Sequence, residues 1–184
     1  MLALSTKDKF LYSFSELSQK ETVDKITVKE IASNCGLTSQ TFYNHFSDKY
    51  DMIFWAYRKR VDDLFDKYCN GEITWRELLE KYLAGYKKNS KTILNIMKNT
   101  HGNDSYYTGS SSYLLKCMRE VFIKKLGPDK LDIKADMLLH NYVTGLANSI
   151  GRWLDREEDL DETEMAEILD MALPQYLRNL YLNG

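Results

Sequence analysis

Residues 27–49 read TVKEIASNCGLTSQTFYNHFSDK, and this stretch decides the architecture. Thr27-Val28-Lys29-Glu30 has the pattern of a capping box, in which Thr27 takes the amide three residues on and Glu30 reaches back to the amide of Thr27. Ile31, Ala32 and Cys35 then give an apolar face about two turns long. Gly36 stands where a residue of positive φ ends a short helix. Leu37 is placed to plug the junction, and Thr38 or Ser39 opens the next helix. Two helices joined by a short Gly-containing turn predict a helix-turn-helix.

The second of these helices divides its labour. Phe42 and Phe46 are four apart and share one face, which must be buried. At ~100° per residue, Gln40 and Asn44 fall opposite that face, with Thr41 and Tyr43 on its flanks. Ser39, Gln40, Thr41, Tyr43, Asn44 and His45 therefore form a polar ridge near a helix N-terminus, where amides and the helix dipole favour anions. Gln and Asn can hold adenine by two hydrogen bonds, Thr can touch a thymine methyl, and Tyr and His can reach phosphate. Lys49 begins the following helix, placed for a further phosphate contact.

Outward from this segment, apolar positions recur at spacings of three and four. Phe10, Phe14 and Leu17 mark a first helix, and Ile53, Tyr57, Val61, Leu64 and Phe65 a long one from about Asp48. Further stripes run through Leu78–Tyr86, Ile93–Met97 and Tyr113–Phe122, and the last two helices are expected over 134–154 and 161–181. No stretch sustains an alternation of period two, so the expected fold is all-α. Asn70-Gly71, the loop 101–105 and Gly127-Pro128-Asp129 punctuate the helices.

The 184 residues have 43% hydrophobic and 28% charged residues, a balance that suits a water-soluble globular chain. Met1–Phe10 turns polar too early for a secretory signal and no run suits a membrane span, so the expected location is cytoplasmic. Cys35, Cys69 and Cys117 are scattered and form no C-x-x-C pair, which argues against a disulfide framework or a metal site. A net charge of −2 means that any DNA affinity is local. Residues 1–60 carry nine Lys/Arg against seven Asp/Glu, whereas 155–170 carry nine Asp/Glu against one Arg. DNA, if bound, meets the N-terminal end.

The residues that carry this reading also resemble a known family. Thr27-Val28-Lys29-Glu30-Ile31-Ala32, Gly36-Leu37-Thr38 and, above all, Thr41-Phe42-Tyr43-Asn44-His45-Phe46 followed by Asp48-Lys49 resemble the DNA-binding domain of tetracycline-repressor (TetR) family regulators. The resemblance runs over about Thr6–Val61. It implies phosphate contacts at Thr27 and Lys49, major-groove entry by Thr38, Ser39, Gln40 and Thr41, and backbone contacts from Tyr43 and His45. It also implies a three-helix DNA-binding domain, residues 1–47, and a helical ligand-binding and dimerisation bundle, residues 48–184. Members often carry extra basic residues ahead of the first helix, but here only Lys7 and Lys9 stand there. The strings Trp75-Arg76-Glu77-Leu78-Leu79, Tyr82-Leu83 and Asn89 are similar to the dihydroxyacetone kinase regulator subgroup, some of whose members act through a partner protein.

In the C-terminal part, Met137, Leu138, Val143, Leu146, Ile150 and Trp153, then Met165, Ile168, Leu169, Ala172, Leu173 and Leu180, make apolar stripes wider than two helices can cover alone. Pairing with a second copy through the last two helices would complete a four-helix bundle, helped by Gly145, Ala147, Ser149 and Gly151. Tyr82, Tyr86, Met97, His101, Tyr113, Met118, Phe122, His140 and Tyr142 are the candidates for lining an effector pocket. No nucleophile motif, phosphate-binding glycine loop or metal-ligand spacing occurs, so neither an enzyme nor a cofactor is expected. The expected function is a homodimeric regulator of a palindromic double-stranded DNA operator, modulated by a small-molecule effector or protein partner. The alternative is a helical protein-interaction module that acts through a partner without binding DNA.

Overall fold

The computed structural model describes residues 4–102, 105–156 and 160–181. Ten α-helices follow one another: α1 Thr6–Leu17, α2 Val28–Asn34, α3 Ser39–Tyr43, α4 Lys49–Cys69, α5 Trp75–Lys88, α6 Ser90–Lys98, α7 Tyr106–Leu126, α8 Ile133–Asp155, α9 Glu162–Met171 and α10 Gln175–Tyr181. A 3-10 turn spans Pro128–Lys130, and no strand occurs among the described residues. The all-α expectation holds.

The helix starts are written in the sequence as caps. Ser5, Thr27, Thr38, Thr74, Asp132 and Asp161 each accept a hydrogen bond from the backbone N–H three residues on. Thr27–Glu30, Thr74–Glu77 and Asp161–Glu164 are reciprocal capping boxes. Helix ends fall where glycine takes positive φ: Gly36 at 71° after α2 and Gly71 at 73° after α4.

The final helical stretch departs from expectation. Residues 161–181 are not one helix but two, α9 and α10, separated at Ala172–Pro174. Pro174 brings no N–H and its ring disfavours a helical residue before it, so α9 stops and α10 restarts behind the proline.

Contacts divide the chain into two units. The first comprises the residues up to Lys59 together with Ser90–Gly109; the second comprises Arg60–Asn89 and the chain from Ser110 on. Beyond residues 1–47 the first unit takes in the start of α4, α6 and the start of α7. Its core is Phe10, Phe14, Val23, Ile26, Ile31, Phe42, Phe46 and Met52. The rings of Phe10 and Phe42 meet edge to face at 5.1 Å, and Phe46 leans on Phe42 and on Trp55, both at 5.5 Å. Gly109 lies against the Phe54 ring, and Tyr106 stacks on Phe54 at 6.0 Å.

In the second unit α5 packs chiefly on α9, and α8 meets α5 and α10. Leu79, Leu83, Met118, Phe122, Leu139, Val143, Leu146, Ile150, Trp153 and Leu169 fill its interior. Arg119 grips Asp136 through Nε and Nη2 (2.5 and 2.9 Å). Cys35, Cys69 and Cys117 are free thiols, and burial pushes Cys117 up to about 12. No described helix is long and apolar enough to cross a membrane.

Candidate nucleic-acid interface

The interface is built on a helix too short to stand alone. An isolated helix needs ~12–15 residues to hold together in water, and α3 has five. Phe42, completely buried, anchors it. Thr38 caps its start by accepting from the Thr41 amide at 3.1 Å, and the two threonine hydroxyls pair at 2.9 Å. α3 ends at Tyr43, earlier than the Phe42/Phe46 pattern suggests. The amides of His45 and Phe46 still bond to the Phe42 carbonyl (2.9 and 3.0 Å), which keeps Phe46 in helical phase with Phe42.

That anchoring leaves the opposite side open to solvent. Thr38, Gln40, Tyr43, Asn44 and His45 are exposed, and Ser39 and Thr41 are half-buried. Tyr43 stands 55% exposed, a large aromatic with a polar tip and little protein around it. Gln40 Nε2 donates to Asn44 Oδ1 at 3.2 Å, so the two amides buttress each other along the ridge. The Gln40 carbonyl and its second N–H stay available for a base edge.

α2 is tied to α1 through polar bonds. Ser13 Oγ donates to the Ile31 carbonyl at 2.7 Å, and Asn34 Nδ2 donates to Ser13 Oγ and Glu16 (3.1 and 3.0 Å). Leu37 N–H closes the turn onto the Ala32 carbonyl at 2.9 Å. Thr27 spends its hydroxyl inside the capping box, accepting from Glu30 N–H and donating to the Glu30 carboxylate at 2.7 Å. The Thr27 hydroxyl, followed by its amide, holds the Glu30 carboxyl below its ordinary range.

The Lys49 ammonium rests on the connection between α1 and α2. Nζ donates to the carbonyls of Asp24 (2.8 Å) and Ile26 (2.7 Å). Burial lowers its pKa, against the opposing pull of Asp24, Asp48 and Glu30. The Lys7 ammonium likewise lies over the rings of Phe46 and Trp55, each at 5.2 Å. Asp48, where the sequence places the start of a long helix, caps α4 by accepting from Tyr50 and Asp51 N–H, both at 2.8 Å.

The nine pocket candidates do not gather within one unit. Met97 and His101 fall in the first unit and the other seven in the second. Tyr82 and Tyr86 are buried, their hydroxyls 3.1 Å apart, with the Arg60 guanidinium over both rings (5.5 and 4.7 Å). Tyr142 is buried and donates to the Leu169 carbonyl at 2.9 Å. Met118 and Phe122 are fully enclosed core residues, Tyr113 donates to Asp62 at 2.6 Å, and His101 and His140 are exposed. None of the nine lines either described cavity of the second unit. One, of about 220 Å³, is walled by Asn148, Ser149, Arg152, Trp153, Leu160, Met165 and Ile168. The other, of about 340 Å³, is walled by Asp62, Phe65, Asp66, Cys69, Cys117, Glu120, Val121 and Lys124. No group of residues suited to hold a metal ion occurs among the described residues.

A capped helix-turn-helix with an exposed amide-bearing ridge defines a DNA-binding transcriptional regulator. The comparisons give the family. Residues 73–175, more than half of the chain, match a TetR model described as "Transcriptional regulator C-terminal region", and residues 16–54 match "Bacterial regulatory proteins, tetR family". The chain belongs to the TetR family, and it is a transcriptional regulator, not an enzyme. Similar curated proteins include an HTH-type transcriptional regulator of Staphylococcus aureus (strain bovine RF122 / ET3-1), 25% identical over 91% of this chain and 88% of that one. Among solved structures, the fold is similar to "Dihydroxyacetone kinase operon activator DhaS" (TM-score 0.67, 14% identity, 98% of each chain). It is also similar to a TetR regulator from Streptococcus agalactiae 2603V (TM-score 0.64, 19% identity, 92% of this chain and 94% of that one).

Proposed function

We propose that the chain binds a near-palindromic operator as a homodimer, with α3 of each copy in the major groove. The carrying observation is the exposed ridge of Thr38, Gln40, Tyr43, Asn44 and His45, set rigidly over a buried Phe42. In this reading Gln40 and Asn44 take base edges, Thr38, Ser39 and Thr41 enter the groove beside them, and Tyr43, His45 and the Thr27 end of α2 face the sugar-phosphate backbone. The two recognition helices then lie ~34–36 Å apart, one turn of DNA. A regulator of this kind works in the cytoplasm.

The dimer reading rests on the outer surface of the second unit. Val143, Leu146, Ile150, Trp153, Met165, Leu169 and Leu173 spend their apolar surface inside the monomer. Ile133 and Met137 on α8, Ile168 and Met171 on α9, and Tyr176 on α10 stay exposed, Ile133 at 83% and Met171 at 74%. Gly145, on the exposed side of α8, has nothing within 4 Å of where a Cβ would stand, which suits close approach by a second helix. A small ligand or protein partner bound by the second unit would shift the spacing of the recognition helices; such coupling is typically worth ~1–3 kcal/mol. The Thermus thermophilus FadR structure, a fold neighbour at TM-score 0.59, is in complex with lauroyl-CoA, which is in keeping with a small-molecule effector.

The test is selection from randomised duplex DNA at fixed salt, paired with sedimentation of the protein alone. Enrichment of a palindrome and the mass of two chains are expected. A monomer, or Met137→Glu/Met171→Glu protein that sediments and binds like wild type, overturns the dimer through this face.

A further inference from the structure

Residues 18–26, which join α1 to α2, are held by two side chains from elsewhere in the first unit. Asn95 on α6 donates from Nδ2 to the carbonyls of Ser18 (2.8 Å) and Glu21 (2.7 Å), and its Oδ1 accepts from Val23 N–H at 3.0 Å. Lys49, the first residue of α4, donates to the carbonyls of Asp24 and Ile26 at 2.8 and 2.7 Å. One amide and one ammonium thus satisfy five main-chain groups of the connection. Thr92 on α6 adds to the grip, pairing with the Ser18 hydroxyl at 2.8 Å and accepting from Gln19 Nε2 at 2.9 Å.

The connection has no helix of its own to fix its path. Its buried apolar side chains, Val23 and Ile26, anchor it, and Ile26 directly precedes Thr27, the N-cap of α2. A shift of the Ile26 carbonyl moves that cap, and α2 carries α3 behind it through the Gly36 turn. Lys49 is half-buried and uses two of its three N–H groups on these carbonyls.

We propose that Lys49 and Asn95 are positioning residues for DNA recognition: Asn95 holds residues 18–23 and Lys49 residues 24–26 of the connection between α1 and α2, and together they set the pose of the helix-turn-helix. This rests on the DNA-binding reading above. It gives α6 a direct hold on the reading head, since Asn95 and Thr92 both project from that helix onto the end of α1.

The test uses the full chain and two readouts, for wild type, Lys49→Met, Lys49→Arg and Asn95→Ala. The first needs no DNA: amide hydrogen exchange over residues 20–30. Lys49→Met and Asn95→Ala are expected to speed exchange of the Val23–Thr27 amides on the order of tenfold while α8 amides stay protected, and Lys49→Arg, which can still donate to both carbonyls, restores protection. The second is the dependence of affinity on salt, read on the duplex recovered by selection and on a scrambled duplex of equal composition. Lys49→Met is expected to weaken the selected duplex about tenfold or more and the scrambled one less. A slope reduced by about 0.9, the signature of one lost phosphate contact, together with unaltered exchange, overturns the proposal. Wild-type exchange in Lys49→Met overturns it regardless of DNA. If selection enriches no sequence, the operator reading fails, while the exchange data still decide whether the two residues hold the connection.

Discussion

Replacing Phe42 with Ala should release the recognition helix while leaving the second unit folded. Phe42 is fully buried, and its ring touches Phe10 at 5.1 Å and Phe46 at 5.5 Å. An aromatic side chain buries about 150–250 Å², which at ~25 cal/mol per Å² corresponds to about 4–6 kcal/mol. An unfolded chain that is already compact reduces this by about 10–40%, leaving roughly 3–5 kcal/mol, the range found for Phe→Ala changes in protein cores. With total stabilities of about 5–15 kcal/mol typical, the loss removes much of what holds a small unit. α3 has no reserve of its own, because five helical residues cannot persist without their packing. Trp55, 5.5 Å from Phe46, provides the reporter, since Trp75 and Trp153 belong to the second unit. In a Trp75→Phe/Trp153→Phe background, the urea midpoint read from Trp55 emission should fall by about 2 M for a slope near 2 kcal/mol per M. Operator binding should be lost in parallel. A shift worth less than about 1 kcal/mol, or undiminished DNA binding, would refute the claim that Phe42 burial holds the reading head.

Further outcomes follow from the local chemistry. Gly36 has φ 71° and open space where a Cβ would point, so Gly36→Ala should cost about 1–2 kcal/mol from backbone strain alone. Gly36→Asn should cost less, and thermal melts of the two variants give the comparison. The Glu30 carboxyl titrates below its ordinary 4.5 because Thr27 bonds its charged form. Its contribution is complete above that value and disappears as pH falls through the lower, folded-state value. Glu30→Gln should therefore lessen the stability lost in acid titration over about pH 5 to 3, and an unchanged acid profile would count against the capping box as a stabilising contact. Cys117, buried and pushed up to about 12, should stay unmodified when the native protein is treated with iodoacetamide near neutral pH. Rapid labelling of Cys117, located by peptide mass, would show that α7 opens readily.

Much of the reading head was legible because its signals are local. Capping at Thr27 and Thr38, the positive φ at Gly36 and the burial of Phe42 all follow from residues within a few positions of one another. The exposed face of α3 follows by helical phase. In the second unit the same reasoning found the apolar stripes, yet it read one helix across Pro174 where the chain makes two. It also pooled inward Val143 and Leu169 with outward Met137 and Ile168, because periodicity places residues on a face without naming what covers it. Exposed Met171 was not singled out at all.

The sequence by itself determined the all-α class, the helix-turn-helix, the polar ridge on α3 and, through its motifs, the TetR family. Only the tertiary structure decided where the long-range bonds fall. It set Lys49 on the carbonyls of Asp24 and Ile26 and Asn95 against residues more than seventy positions away, and left Tyr82, Tyr86 and Tyr142 bonded within the core. The physical reason is range. Caps, turns and helical phase are settled by neighbours in the chain, whereas the partner of an ammonium, amide or phenol is whichever unsatisfied group the folded chain brings within about 3 Å.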